Sequence, residues 1–425
     1  MTRRIRGIWG RPRQRLFSFR ARRERTDRGF RAAIVAITLL GLAGLWSALP
    51  SGRSALLGAL ERVKWGALRR AGLEPPRAEV DAYWRDRRDR REARTRATYR
   101  GLFQALTPER QAFLRIAGMS PDDAVIRWGN YDMSLLLSSK VFARDDSGRY
   151  YRLLPGVRSV WLRQINVLGL DICQFLVPET PEVLRAAEAA GAVVVPGSAQ
   201  TTNSWGCRGP EPDLSAPVRG LVLGDSFMQG TFVGDDQTPP ARLQVELRAR
   251  LGKPVAILDT GHLGYCPEHY YNTLRDFADR FRPRFVVVAV YINDFGEEPE
   301  VLRGEGDWIE EKYWLEKILQ HCRARNVLCL IAPVPCQGQL TGTRSAGHYP
   351  GQVANITRVA GALFRDPTDD FINENLKLQR TDADAASQSP LYNGRLGDGH
   401  LSPAGCALWG RVVAERLALL LEARP

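Results

Sequence analysis

From residue 219 to residue 421 the sequence alternates short apolar runs with segments of helical period, and few folds accommodate that pattern. Runs at 219–225, 255–259, 285–291 and 327–332, with a weaker one at 363–365, have the length and apolar content of buried strands. Helices are predicted at 239–251, 268–281, 308–325 and 403–421. A helix between two strands carries the chain back across the sheet, so the strands run parallel with both faces covered. Right-handed crossovers then predict a three-layer α/β/α sandwich. In such a sheet the carboxyl ends of the strands share one edge, and ligands bind there.

The residues at those ends are suited to chemistry. Leu221-Val222-Leu223 runs into Gly224-Asp225-Ser226-Phe227, the second run ends in Asp259-Thr260-Gly261-His262-Leu263-Gly264, and the third ends in Tyr291-Ile292-Asn293-Asp294. Asp398-Gly399-His400-Leu401-Ser402-Pro403 precedes the last helix. Each segment also has a plain structural reading. Gly-Asp-Ser and Asn293 are good turn formers, and Ser402 with Pro403 is a good helix start. As a set, however, they supply a serine hydroxyl and an imidazole able to take its proton near neutral pH. The α/β-hydrolase nucleophile signature is missing, because Met228 stands where its second glycine is required.

The order and residues resemble the SGNH family of GDSL-type hydrolases, whose blocks centre on Ser, Gly, Asn and His. The likeness covers roughly residues 203–421. It rests on Gly224-Asp225-Ser226-Phe227 with Gly230 and Thr238-Pro239, on Gly261 and Gly264, on Asn293-Asp294 and on His400. Two positions depart from the family pattern. Tyr291 stands where a glycine usually precedes the Asn by two, and Asp398 lies two residues before His400 where the common spacing is three. The shorter spacing is similar to that of SGNH-type polysaccharide O-acetyltransferases.

The resemblance implies a flavodoxin-like parallel sheet and acyl transfer without a cofactor or metal. Ser226 would be the nucleophile, His400 its base and Asp398 the group that fixes the His tautomer. The oxyanion would be held by the backbone N–H groups of Ser226 and Gly264 and by the Asn293 amide. Asp225, Asp294, Gly261 and Arg208 are candidate site-lining residues, Arg208 because it lies in the Gly-punctuated loop 203–209. The reading that follows is a serine esterase acting on acetyl or short acyl esters, in its free or glycan-bound substrates. The alternatives are an O-acyltransferase served by a membrane acyl-donor partner protein, and an inactive SGNH scaffold that binds glycan.

The first half of the chain is organised differently. Residues 1–31 carry twelve Arg against Glu24 and Asp27, a net +10 of the formal +13 for the whole chain. An Arg-rich arm can bind nucleic acid, but this one is followed by eighteen uncharged residues at 32–49. A helix of that length just spans a bilayer core, which takes about 17–25 residues. The positive-inside rule then makes the arm a cytoplasmic tail and places the rest of the chain outside the cytoplasm, with no nucleic-acid partner. Residues 50–121 read as a helical juxtamembrane stalk, broken at Pro75-Pro76, and 122–202 as a small α+β accessory region ahead of a hydrolase domain at 203–425. Seven cysteines show no Cys-x-x-Cys; buried thiols are expected, with a Cys207–Cys266 disulfide as the minority reading. Packing or surface roles are expected for His262, His269, His321 and His348.

Overall fold

The computed structural model describes residues 77–127, 135–145, 150–163, 175–295, 308–341, 349–380, 389–394 and 398–423. The basic tail, the apolar segment 32–49, the first part of the juxtamembrane stretch, Cys173 and His348 lie outside them. Among the described residues no helix is long and apolar enough to cross a membrane.

The described residues open with α1 (Arg77–Gln104) and α2 (Pro108–Ile116). Thr107 caps α2 by accepting the Arg110 N–H, with Pro108 at the first helical position. Short strands follow: β1 (Val125–Arg127), β2 (Leu135–Leu137), β3 (Phe142–Asp145), β4 (Tyr150–Leu153), β5 (Arg158–Arg163) and β6 (Phe175–Pro178), then α3 (Pro181–Ala189), β7 (Val193–Val194) and β8 (Gln200–Thr201). β5 is the centre of a small antiparallel sheet, pairing with β6, β7 and β8. Its two faces serve different neighbours. Val160 and Leu162 pack with Phe113, Leu114 and Val183 of the surrounding helices. Trp161, pointing the other way, meets Phe232 edge-on at 5.9 Å. The end of α1 is part of this packing: Tyr99 and Phe103 are buried, and the Tyr99 hydroxyl donates to Met119 O at 2.6 Å.

The main sheet contains β9 (Val218–Leu223), β10 (Val255–Asp259), β11 (Phe285–Val288), β12 (Leu328–Ile331) and β13 (Leu363–Phe364). All pair in parallel, in the order β10-β9-β11-β12-β13. The chain therefore starts in the sheet at β9, adds β10 on one side and then reverses to add the rest on the other. The gap between the ends of β9 and β11 is the point where such sheets open a crevice. Consecutive residues serve opposite faces. Leu221, Leu223, Val286 and Val288 pack on α6 (Pro267–Phe281) and α7 (Trp308–Ala324) through Leu274, Phe277, Leu315 and Ile318. Val222, Phe285 and Val287 pack on α5 (Pro239–Leu251) and α11 (Pro403–Glu422) through Leu243, Leu247, Trp409 and Val413. Each such buried aliphatic or aromatic side chain contributes about 1.5–3 kcal/mol. This continuous burial on both faces is why the strands read as unbroken apolar runs.

The remaining α-helices among the described residues are α4 (Ser226–Gln229), between β9 and α5, and α8 (Gln337–Thr341), α9 (Gly351–Val359) and α10 (Thr368–Gln379). The last three are absent from the sequence expectations. They are short, and α9 and α10 bury only two or three residues each, including Val353, Ile356 and Phe371. β11 is also shorter than its apolar run. Ala289 N–H still bonds Leu223 O, so the run continues extended beyond Val288 before it turns at the sheet edge.

Candidate active site

β9 ends at Leu223, and Asp225 turns the chain into α4 by accepting the Phe227 N–H at 2.9 Å. Ser226 is thereby the first residue of a single helical turn at the carboxyl edge of the sheet. On the far side of the crevice, His400 lies in the loop before α11. Ser402 caps that helix by accepting the Gly405 N–H and donates to Pro390 O at 2.6 Å. Asn393 closes the loop from within: its N–H bonds His400 O at 2.8 Å, and its side-chain amide bonds Leu401 O at 3.0 Å and Thr231 O at 3.4 Å. A sequence reading has no means of selecting Asn393, because its partners are backbone carbonyls brought together only by the fold.

These two loops place the Ser226 hydroxyl 2.7 Å from His400 Nε2. The other ring nitrogen, Nδ1, lies 2.5 Å from Asp398 Oδ1, and the same oxygen accepts the His400 backbone N–H at 2.6 Å. The two-residue spacing thus closes a small ring, and Asp398 reaches the imidazole as directly as a three-residue spacing would. Burial pushes the Asp398 carboxyl up, but the charge of His400 and the two hydrogen bonds it donates outweigh that and leave it below the usual carboxylate range. An ionised Asp398 keeps the proton on Nδ1 and leaves Nε2 free to accept one from Ser226.

Gly264 and Asn293 belong to the same edge. Gly264 follows β10 and has φ +72°, a left-handed conformation that glycine adopts without the usual side-chain penalty. Asn293 sits on the 3-10 turn Ile292–Phe295 after β11. Asp294 shapes that turn from below, accepting the Tyr291 N–H at 2.9 Å and the Tyr270 hydroxyl at 3.0 Å. Burial, and then the charge of Asp225, hold the Asp294 carboxyl well above its ordinary range. Tyr291 fills its position with an aromatic ring 4.0 Å from that of Phe227, which in turn lies 4.6 Å from the His400 ring.

The four candidate lining residues each have partners or close neighbours within the protein. Asp225 and Asp294 are buried capping groups beneath the site. Gly261 is a packing residue: a Cβ there would lie 2.3 Å from Gln229 N of α4, so only glycine allows this approach. Arg208 is buried behind α4 with its guanidinium spent on the protein itself. Its Nε bonds Asp235 at 2.9 Å, one terminal nitrogen bonds Gln229 O and Gly230 O, and the other bonds Val233 O at 2.5 Å. Cys207 and Cys266 do not form a disulfide; the Cys266 thiol lies 3.1 Å from His269 Nδ1. His262 and His269 are buried on either side of Tyr265, stacked at 4.6 and 4.8 Å.

Asp259, at the end of β10, gives the domain a pH dependence. It accepts the Gly261 N–H at 2.9 Å. Burial pushes its carboxyl up to about 7 against the pull of that bond and of Arg208, and Asp235 pushes the same way. A carboxyl whose folded pKa exceeds its unfolded value of about 3.9 stabilises most fully below the unfolded value, and that contribution is lost as pH rises through about 7. Asp259→Asn retains an acceptor for Gly261. It is expected to flatten the decline in stability between about pH 5 and about pH 7, which follows roughly 1.4 kcal/mol per unit for a shift of this kind. Urea midpoints across that range are the check, and an unaltered decline would remove Asp259 as its source.

Residues 222–408 match the profile of the GDSL-like lipase/acylhydrolase family. No curated protein matches the chain. Similar solved structures include an acetyl xylan esterase, AlAXEase, at 19% identity over 49% of this chain and 100% of that one, with a TM-score of 0.37. The lipase/acylhydrolase from Enterococcus faecalis is 13% identical over 48% of this chain and 96% of that one, with a TM-score of 0.35. The psychrotrophic esterase EstA from Pseudoalteromonas sp. is 14% identical over 48% and 98%, also with a TM-score of 0.35.

Proposed function

Because the chain belongs to the SGNH/GDSL hydrolase family through residues 222–408, we propose that it is a serine esterase that cleaves carboxylic esters of acetyl or short acyl groups. The observation that carries this reading is the continuous path Ser226–His400–Asp398, with contacts of 2.7 and 2.5 Å. In the first half-reaction Ser226 Oγ attacks the ester carbonyl carbon as its proton passes to His400 Nε2. The tetrahedral oxyanion is held by the N–H groups of Ser226 and Gly264 and the Asn293 amide. The intermediate collapses, the ester C–O bond breaks, and His400 returns its proton to the leaving alcohol. Water then repeats the sequence on the acyl-enzyme, with His400 again the base, and regenerates Ser226. Asp398 remains ionised throughout and orients the imidazole.

An active-site-directed phosphonate tests the nucleophile. Wild-type protein is expected to gain one phosphonyl group, mapped by mass spectrometry to Ser226, and to lose ester turnover in parallel. Intact, folded protein that remains unlabelled would argue for the scaffold reading. The Asp398-x-His400 spacing supports a second reading in which a sugar hydroxyl replaces water as acyl acceptor. Supplying an acetyl ester with and without glycan separates the two, since free acetate marks the esterase and acetylated sugar the transferase. The Arg-rich arm followed by the uncharged segment 32–49 supports a single-pass anchor with the esterase domain outside the cytoplasm. Membrane fractionation and protease accessibility of a C-terminal tag test that placement.

A further inference from the structure

The loop that carries Gly264 is held from two sides. From the hydrolase side, Gln229 of α4 accepts the Leu263 N–H at 2.6 Å, and Gly224 O accepts the His262 N–H at 3.3 Å. From the other side comes β4, which precedes the family-matched residues altogether. The Tyr151 hydroxyl donates to Leu263 O, and in return the Tyr265 hydroxyl donates to Tyr151 O at 2.5 Å. The two rings meet edge-on, 5.4 Å apart. One residue pair along the strand, the Leu153 N–H bonds His262 Nε2 at 3.4 Å, which leaves Nδ1 to donate to Thr260 O at 3.0 Å. Tyr151 is fully buried.

Leu263 C=O and Gly264 N–H are opposite ends of one peptide unit. That unit is planar and trans, so fixing the direction of its carbonyl fixes the direction of its N–H. A donor on the carbonyl oxygen also draws electron density from the amide and makes the N–H a stronger donor, an effect of roughly 10–30% per bond in condensed-phase estimates. We propose that Tyr151 is a positioning residue of the oxyanion hole, aiming and polarising the Gly264 N–H through the Leu263 carbonyl. The inference rests on the reading of Ser226 as nucleophile and Gly264 N–H as oxyanion donor. It assigns part of the transition-state stabilisation to the accessory region, outside the matched hydrolase residues.

Tyr151→Phe removes the hydroxyl and keeps the ring. Losing an oxyanion donor outright costs about 10²–10³ in rate. Losing its orientation is expected to cost less, roughly tenfold in kcat with KM unchanged. The decisive readout compares an ester with the thionoester in which sulfur replaces the carbonyl oxygen. Sulfur is a poor hydrogen-bond acceptor, so the wild-type preference for the oxygen ester reports the oxyanion hole. Tyr151→Phe is expected to narrow that preference by the same factor by which it lowers kcat. A merely structural contribution slows both substrates alike and leaves the ratio unmoved, which overturns the proposal. A fluorinated tyrosine at position 151 preserves the fold and makes the hydroxyl a stronger donor; it is expected to widen the ratio, and a narrowed or unchanged ratio counts against the proposal. Absence of phosphonate labelling at Ser226 in wild-type protein overturns the esterase reading together with this one. Labelled wild type with an unmoved ratio in Tyr151→Phe overturns this one alone.

Discussion

Ser226→Ala and His400→Ala, made singly or together, are expected to lower ester turnover by nearly the same factor, about 10⁴–10⁶. The two groups form one proton path at 2.7 Å, and groups that act as a unit are not additive: once either is gone, the other has nothing left to do. The residual rate should reflect the N–H donors and substrate binding alone. Both substitutions are expected to leave the fold intact. The α4 turn is held through Asp225 and the backbone of Ser226, and the His400 loop keeps Asn393 and the bond from its backbone N–H to Asp398 when the ring is removed. Turnover and urea midpoints for the three variants check this. If the double variant lost the product of the two single losses, the residues would be acting separately and a shared path would be wrong.

Arg208→Leu is expected to cost about 2–4 kcal/mol of folding stability, less than the roughly 3–5 kcal/mol of a fully buried pair because Asp235 is 26% exposed and keeps the Thr201 N–H and hydroxyl as donors. The Arg208 side chain is 1% exposed, and its departure leaves Asp235 and the carbonyls of Gln229, Gly230 and Val233 without their guanidinium donor. Those carbonyls lie in the turn that follows the nucleophile, so turnover should fall as well. Arg208→Lys keeps the charge but offers three N–H donors in place of a planar fork, and should recover only part of the loss. Equilibrium urea unfolding measures both. A loss below about 1 kcal/mol would put this ion pair in the class of exposed ones and remove Arg208 as the clamp of that turn.

The main sheet was legible because β11, β12 and the Gly220–Leu223 part of β9 are buried on both faces and carry no charged side chain. The helix at 403–421 was legible from Ser402-Pro403, which cap it as the sequence suggests, and Thr238 caps the helix at 239–251 in the same way. Ser226, His400 and Asp398 come together as their motif order implied, since parallel strands share one edge. What escaped were the roles that depend on long-range backbone partners. Arg208 in a Gly-punctuated loop reads as a candidate site-lining residue, and the carbonyls after α4 that surround it are out of reach of a local reading. Asp225 stands beside the nucleophile candidate in sequence, yet its partner is the Phe227 N–H, while Asp294 holds the turn after β11 through the Tyr291 N–H, the loop-positioning role its place after a strand suggests. Tyr151 carries no local signal, because its partner is 112 positions away. Residues 1–76 fall outside the described structure, so the tail and apolar segment remain readings of sequence alone.

The Asp398–His400 pair is tied together within three residues, through both the ring and the backbone N–H of His400. Carboxylate and imidazole are therefore joined twice within one short stretch of chain. The contact from Nε2 to the Ser226 hydroxyl, 2.7 Å long, is the one in this line that joins two separate loops. In engineering language, the domain has one adjustable joint in its proton path, and a ligand or partner that tunes its rate has that joint to act on.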